Sequence, residues 1–144
     1  NIQHIYSFKK STTETHPTNK ELSENNIVEI SKHKNTHLRA QISVPESGLY
    51  AIDFWYANGE GPISTSNKCA IRTLKIENKF TGTVVFPQRG ADDWSNWGFT
   101  NSIQVKLEKG SFNLVLTFEP ANENMNGEVN RALLDFIRVI KIAA

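Results

Sequence analysis

Residues 87–101, PQRGADDWSNWGFTN, set Trp94 and Trp97 in a segment rich in Asp, Asn and Gly. An indole in such a segment has two physical uses. It caps the end of a core with its N–H bonded to a carbonyl, or it offers a flat apolar platform to a ligand. A pyranose suits the platform: its C–H face stacks on the ring, while Asn, Asp, Gln and Arg bond the hydroxyl rim in directed pairs. Residues 119–131 add Asn122, Asn124, Asn126 and Asn130. Each amide offers two donors and two acceptor lone pairs, which match sugar hydroxyls. Asn also tolerates turns, so the run has a purely conformational use as well. Asp135 is the odd residue inside LLDFIRV, because a buried carboxylate must be paired or metal-bound. A hard cation such as Ca2+, shared with backbone carbonyls and another acid, would satisfy it; so would Arg72, Arg131 or Arg138.

Catalytic signatures are missing from the sequence. It has no Gly-x-Ser-x-Gly, no phosphate-cradling glycine loop and no His-Glu-x-x-His. Asp92 and Asp93 are adjacent, whereas a glycosidase needs two acids facing each other across a bond. The chain therefore reads as a binding protein and not as an enzyme. Its 144 residues suffice for one domain, taken as 1–144. Sixteen Lys and Arg against fifteen Asp and Glu leave +1, without the basic excess that nucleic acid or an acidic membrane would call for. No apolar run approaches about 18 residues, so no membrane-spanning segment is expected. Cys69 is the single cysteine, which excludes an internal disulfide. The first residue is Asn1, so a piece cut from a longer protein, or a matured chain, is expected.

The elements that must position these groups follow a period of two. In 49–56, Tyr50, Ile52, Phe54 and Tyr56 share one face, with Leu49, Ala51, Asp53 and Trp55 opposite. The segments 38–44, 103–107 and 111–118 alternate in the same way. Further strands are predicted near 4–8, 27–31, 69–77, 79–86 and 133–142. The last is apolar on both faces and so belongs at a sheet centre. Turns are predicted at 45–48, 77–79 and 108–110, the last two as hairpins. Residues 10–26 read as a long loop. Eight or nine short strands imply an all-β fold: a two-sheet antiparallel β-sandwich, or jelly roll. Its long loops, 31–37, 58–68, 87–101 and 119–131, gather at the ends and hold most of the unusual chemistry.

Four ordered segments carry a resemblance. Gly48-Leu49-Tyr50 with Phe54-Trp55-Tyr56-Ala57-Asn58-Gly59, Asp93-Trp94-Ser95-Asn96-Trp97, Val105 to Gly110, and Leu134-Asp135-Phe136-Ile137-Arg138-Val139 together resemble carbohydrate-binding modules of families six and thirty-five. The resemblance covers residues 38–142. It implies a β-jelly-roll accessory domain of secreted bacterial glycoside hydrolases, placed outside the cell, at its surface or in the periplasm. Its partners would be a carbohydrate and the catalytic domain of a parent glycoside hydrolase. By position it makes Trp94 the stacking residue, Trp97 a core residue, Asn126 or Asn130 the ligand amide, and Asp135 a ligand of a structural Ca2+. Asp93, Asn96 and Asn58 complete the candidate sugar set. Two departures stand out: the opening NIQHIYSFKK lacks the family's Ala-Glu pair, and Trp55 replaces its usual Arg. A second function fits the same residues, a scaffold domain that packs on a catalytic domain and binds no ligand of its own.

Overall fold

The computed structural model describes residues 3–8, 27–59, 69–123 and 130–144. Among these residues lie ten strands: β1 Gln3–Tyr6, β2 Val28–Ile30, β3 His37–Val44, β4 Gly48–Ala57, β5 Ala70–Ile76, β6 Lys79–Phe86, β7 Gly98–Phe99, β8 Ile103–Leu107, β9 Gly110–Thr117 and β10 Ala132–Ala143. One antiparallel sheet runs β1-β10-β4-β7, with β2 also on β10 and β8 also on β4; the other runs β3-β9-β5-β6. The predicted sandwich is therefore present, and β10 is central as its two apolar faces require. The loop expected at 10–26 lies outside the described residues.

Alternation builds the core. β3 buries every second residue, Leu38, Ala40, Ile42 and Val44. The β4 face of Tyr50, Ile52, Phe54 and Tyr56 is sealed against Leu114, Leu116, Leu134, Ile137 and Val139. Phe8 stacks on Phe54 with 10° between ring planes.

The two predicted hairpins resolve differently. Residues 77–79 shorten to a two-residue loop, Glu77-Asn78, with φ of 53° and 67° at its two positions. That left-handed pair matches the twist of the flanking strands, and Asn tolerates it while Glu resists it. Glu77 is held there by Asn113, whose N–H donates to the Glu77 carboxylate at 2.7 Å and whose carbonyl accepts from the Glu77 N–H at 2.9 Å. The turn at 108–110 is no hairpin. It carries the chain from β8 in one sheet to β9 in the other, as 45–47 carries β3 to β4. Ser47 stitches the two corners together: its hydroxyl donates to Glu108 at 3.2 Å and accepts from the Lys109 N–H at 2.9 Å.

The strand registers place these tight turns at one pole of the sandwich. At the other pole meet the segments 31–36, 58–59, 87–97, 118–123 and 130–131, because β10 starts there beside the ends of β2 and β4. Both open seams between the sheets are bridged by side chains. Tyr6 donates its hydroxyl to the Ser43 carbonyl and accepts from the Ser43 N–H. Asn101 donates to the Thr83 carbonyl at 3.0 Å and accepts from the Val85 N–H at 2.8 Å.

Arg72 lies under the loop pole, fully buried. Its guanidinium donates to the Ile71 carbonyl at 2.8 Å, the Ser31 carbonyl at 2.8 Å, the Asn130 carbonyl at 3.3 Å and the Asn130 side-chain oxygen. It also sits 4.8 Å from the Phe118 ring centroid. Each of these acceptors is neutral, and Nε has no acceptor among the described residues. Desolvation pulls the pKa down to about 10, so the cation persists at neutral pH. Arg72→Lys keeps the charge but cannot span Ser31, Ile71 and Asn130 together. It is expected to lower stability by about 2 kcal/mol, read as a fall in the urea midpoint at constant slope.

Candidate functional site

Short polar contacts hold the tryptophan segment against the end of β4. Tyr56 donates its hydroxyl to the Pro87 carbonyl at 2.8 Å, and the Arg89 N–H donates to the Asn58 carbonyl at 2.8 Å. Arg89 and Asn96 then clasp each other. Arg89 Nε donates to the Asn96 carbonyl at 3.0 Å, and the Asn96 amide donates back to the Arg89 carbonyl at 2.6 Å. Gly98 leaves room for this clasp, since a Cβ there would overlap the Arg89 guanidinium. Gly59 does the same for the turn itself: a Cβ would stand 2.6 Å from the Asp93 backbone nitrogen, among backbone atoms that have no way to swing aside. Asp93 closes the turn by accepting from the Ser95 hydroxyl at 2.7 Å and the Ser95 N–H at 3.0 Å, and these bonds hold its carboxyl below the usual range.

The segment delivers both indoles to one seat. Trp94 and Trp97 pack on Ile27, Ala57 and Leu133, a small apolar cluster separate from the main core. Ala57 and Leu133 face each other across β4 and β10 on the outer side of the six-stranded sheet. Both indoles are partly exposed, so Trp97 belongs to this seat and not to the sandwich core. Arg131 lies over Trp94, its guanidinium carbon 4.5 Å from the ring centroid, and pairs with Glu29 at 2.6 Å. Trp94 thus carries a guanidinium over its ring, with Asp93 and Asn96 exposed in the same segment, a mix of ring and polar groups suited to a hydroxyl-rich ligand.

The remaining predicted residues separate from this group. Asn58 is fully buried and donates its amide to the Phe86 carbonyl at 2.8 Å. Asn130 is buried as well; its oxygen accepts from Arg72 and from the Ile71 N–H, and its amide donates to the Asn122 carbonyl at 3.0 Å. Both amides are spent inside the protein, so they support the site and do not touch a ligand. Asn126 lies outside the described residues. Asp135 occupies a β-bulge between Leu134 and Phe136 and is half-exposed, not sealed in the core. Two of the arginines considered for it have other partners: Arg138 grips Asp53, and Arg131 pairs with Glu29. No three His, Cys, Asp or Glu converge among the described residues.

One group was missed. Trp55, Phe99 and Phe136 form a ring cluster on the outer sheet face: Trp55 and Phe136 stack at 5.9 Å, and Phe99 meets Trp55 edge-on at 4.7 Å. Arg138 covers Phe99 at 3.6 Å and binds Asp53 through two nitrogens, at 2.9 and 2.6 Å. The outward placement of Trp55 was visible in the alternation. Phe99 was not, because its two-residue strand sits inside what reads as a loop.

Comparison with known proteins then fixes the architecture. Similar chains include a Niallia circulans cycloisomaltooligosaccharide glucanotransferase, 26% identical over 88 residues, which are 61% of this chain and 8% of that one. A crystallised Paenibacillus sp. cycloisomaltooligosaccharide glucanotransferase, complexed with cycloisomaltoheptaose, superposes with a TM-score of 0.60 at 20% identity, over 93% of this chain and 16% of the other. The family 35 carbohydrate-binding module of Clostridium thermocellum superposes with a TM-score of 0.55 at 19% identity, over 97% of this chain and 92% of that module. The fold is that of a family 35 carbohydrate-binding module. No family model matches the sequence. The chain spans nearly all of the Clostridium protein but only a small part of the length of the two glucanotransferases.

Gly59→Ala tests how the indoles are placed. The new methyl must push the Asp93 backbone away, so the tryptophan fluorescence and near-ultraviolet dichroism should change. Stability is expected to fall by about 1–3 kcal/mol, the usual range for forced overpacking.

Proposed function

We propose that this domain is a non-catalytic carbohydrate-binding module that works outside the cell and holds an attached glycoside hydrolase near its polysaccharide. The observation that carries this reading is the pair of partly exposed indoles on one apolar seat, edged by Asp93, Asn96 and Arg131. The seat fixes the ring planes before a ligand arrives, which reduces the entropy lost on binding. The rings cover C–H surface and the polar rim selects hydroxyl geometry. The module fold, and its occurrence inside longer glucanotransferases, support the same conclusion. Weak single-site affinity suffices for such a role, because tethering to an enzyme or repetition along a polymer raises the effective concentration.

A scaffold role is the second reading. Ile5 and Ile142 are 47% and 41% exposed, an apolar surface that a neighbouring domain would cover.

Titration calorimetry against dextran, isomalto-oligosaccharides, xylan fragments and glucuronic-acid-bearing xylo-oligosaccharides separates the two. Binding to one of these classes is expected, with Trp94→Ala weakening it at least tenfold, about 1.4 kcal/mol. Silence of the wild-type domain across the panel would leave the scaffold reading in place.

A further inference from the structure

All three tryptophans of the chain lie on one side of one sheet. Trp94 and Trp97 rest on Ala57 and Leu133 at the loop pole. Two residues back along β4, on the same outer face, stands Trp55, paired in register with Phe136 on β10 and Phe99 on β7. Two residues further back, Asp53 holds Arg138 and accepts from the Ser102 hydroxyl at 3.1 Å. From Ala57 to Asp53 the strand advances about 13 Å at 3.3 Å per residue, room for more than one sugar ring.

Resting on the proposed glycan reading, we propose that this stripe is a second contact for the same ligand. The ligand is then an extended oligosaccharide chain laid from the Trp94–Trp97 seat along β4, not a single terminal sugar. The chemistry repeats that of the first seat. Rings are offered for C–H faces, and beside them stands a guanidinium whose Nη1 is not spent, since Nε and Nη2 alone bind Asp53. The group is also rigid before binding. Asp53 is buried to 4% exposure, Arg138 lies over the Phe99 ring, and Trp55 is held on two sides by phenyl rings. The opposite outer face differs in kind. The four-stranded sheet bears a groove of about 520 Å³ lined by His37, Arg39, Gln41, Glu77 and Asn113, with no Phe, Tyr or Trp in its lining. Continuity with the loop seat favours sugar on the aromatic stripe. A protein surface, which Ile5 and Ile142 further along the face would suit, becomes an outcome of the test.

The test is calorimetric titration with two series, isomalto-oligosaccharides and glucuronic-acid-bearing xylo-oligosaccharides, each from disaccharide to heptasaccharide. Wild-type affinity for the bound series is expected to rise at least tenfold with length. Trp55→Ala is expected to bind the disaccharide as wild type does and to lose that rise, while Trp55→Phe, which keeps a ring on the stripe, retains most of it. Unfolding midpoints of both variants confirm that they fold. A length-dependent gain that survives in Trp55→Ala overturns the proposal, as does wild-type affinity independent of length. If Trp55→Ala leaves sugar binding intact and abolishes self-association in sedimentation, the face docks protein and the proposal falls. If wild type binds neither series at any length, the proposed function fails for these sugars and the stripe proposal fails with it.

Discussion

A buried cation bonded only to neutral oxygens sets the geometry of the loop pole. Arg72 reaches from β5 to the Ser31 carbonyl after β2 and to both oxygens of Asn130 before β10. These are the two backbone segments that carry the groups around Trp94. Glu29 stands two residues before Ser31, and Arg131 follows Asn130 directly. The Glu29–Arg131 pair over the indole is therefore exposed at its surface but anchored from below. A surface pair of this kind contributes little by itself. Its orientation comes from the buried guanidinium, which has no countercharge among the described residues and keeps its place through hydrogen bonds and the Phe118 ring.

Most of the sandwich was legible because burial imposes a strict rule on a strand. A residue of β3 or β4 is either inside or outside, and the alternation of Leu38, Ala40, Ile42 and Val44 records which. Connections are set by a weaker rule. Glu108-Lys109-Gly110 looks like a hairpin locally, yet β8 and β9 are claimed by different sheets, a choice made by distant partners on β4 and β3. Side-chain roles were hardest to read. Asn58 and Asn130 have the residue type a sugar site wants, but buried carbonyls and N–H groups need the same amides, and their burial satisfies that need first. The bulge at Asp135 likewise turns a carboxylate that looks internal toward the surface, something no alternation pattern reports.

The sandwich divides its labour between its poles and its faces. Tight turns, stitched by Ser47, close one pole, and the irregular segments collect at the other. Of the two outer faces, one is amide- and charge-lined and the other aromatic. Gly59 and Gly98 are the points where this division is enforced at atomic scale, because each admits a neighbour that any side chain would exclude.

The two seams carry a further consequence. Asn101 gives and takes one hydrogen bond with β6 just as the next strand of a sheet would, and the Tyr6 hydroxyl does the same for Ser43 on β3. Each acts as a counterfeit rung. A rung already filled gives an invading strand one pairing point fewer on that margin. These contacts blunt both margins locally against edge-to-edge pairing, and the protection costs one phenol and one carboxamide.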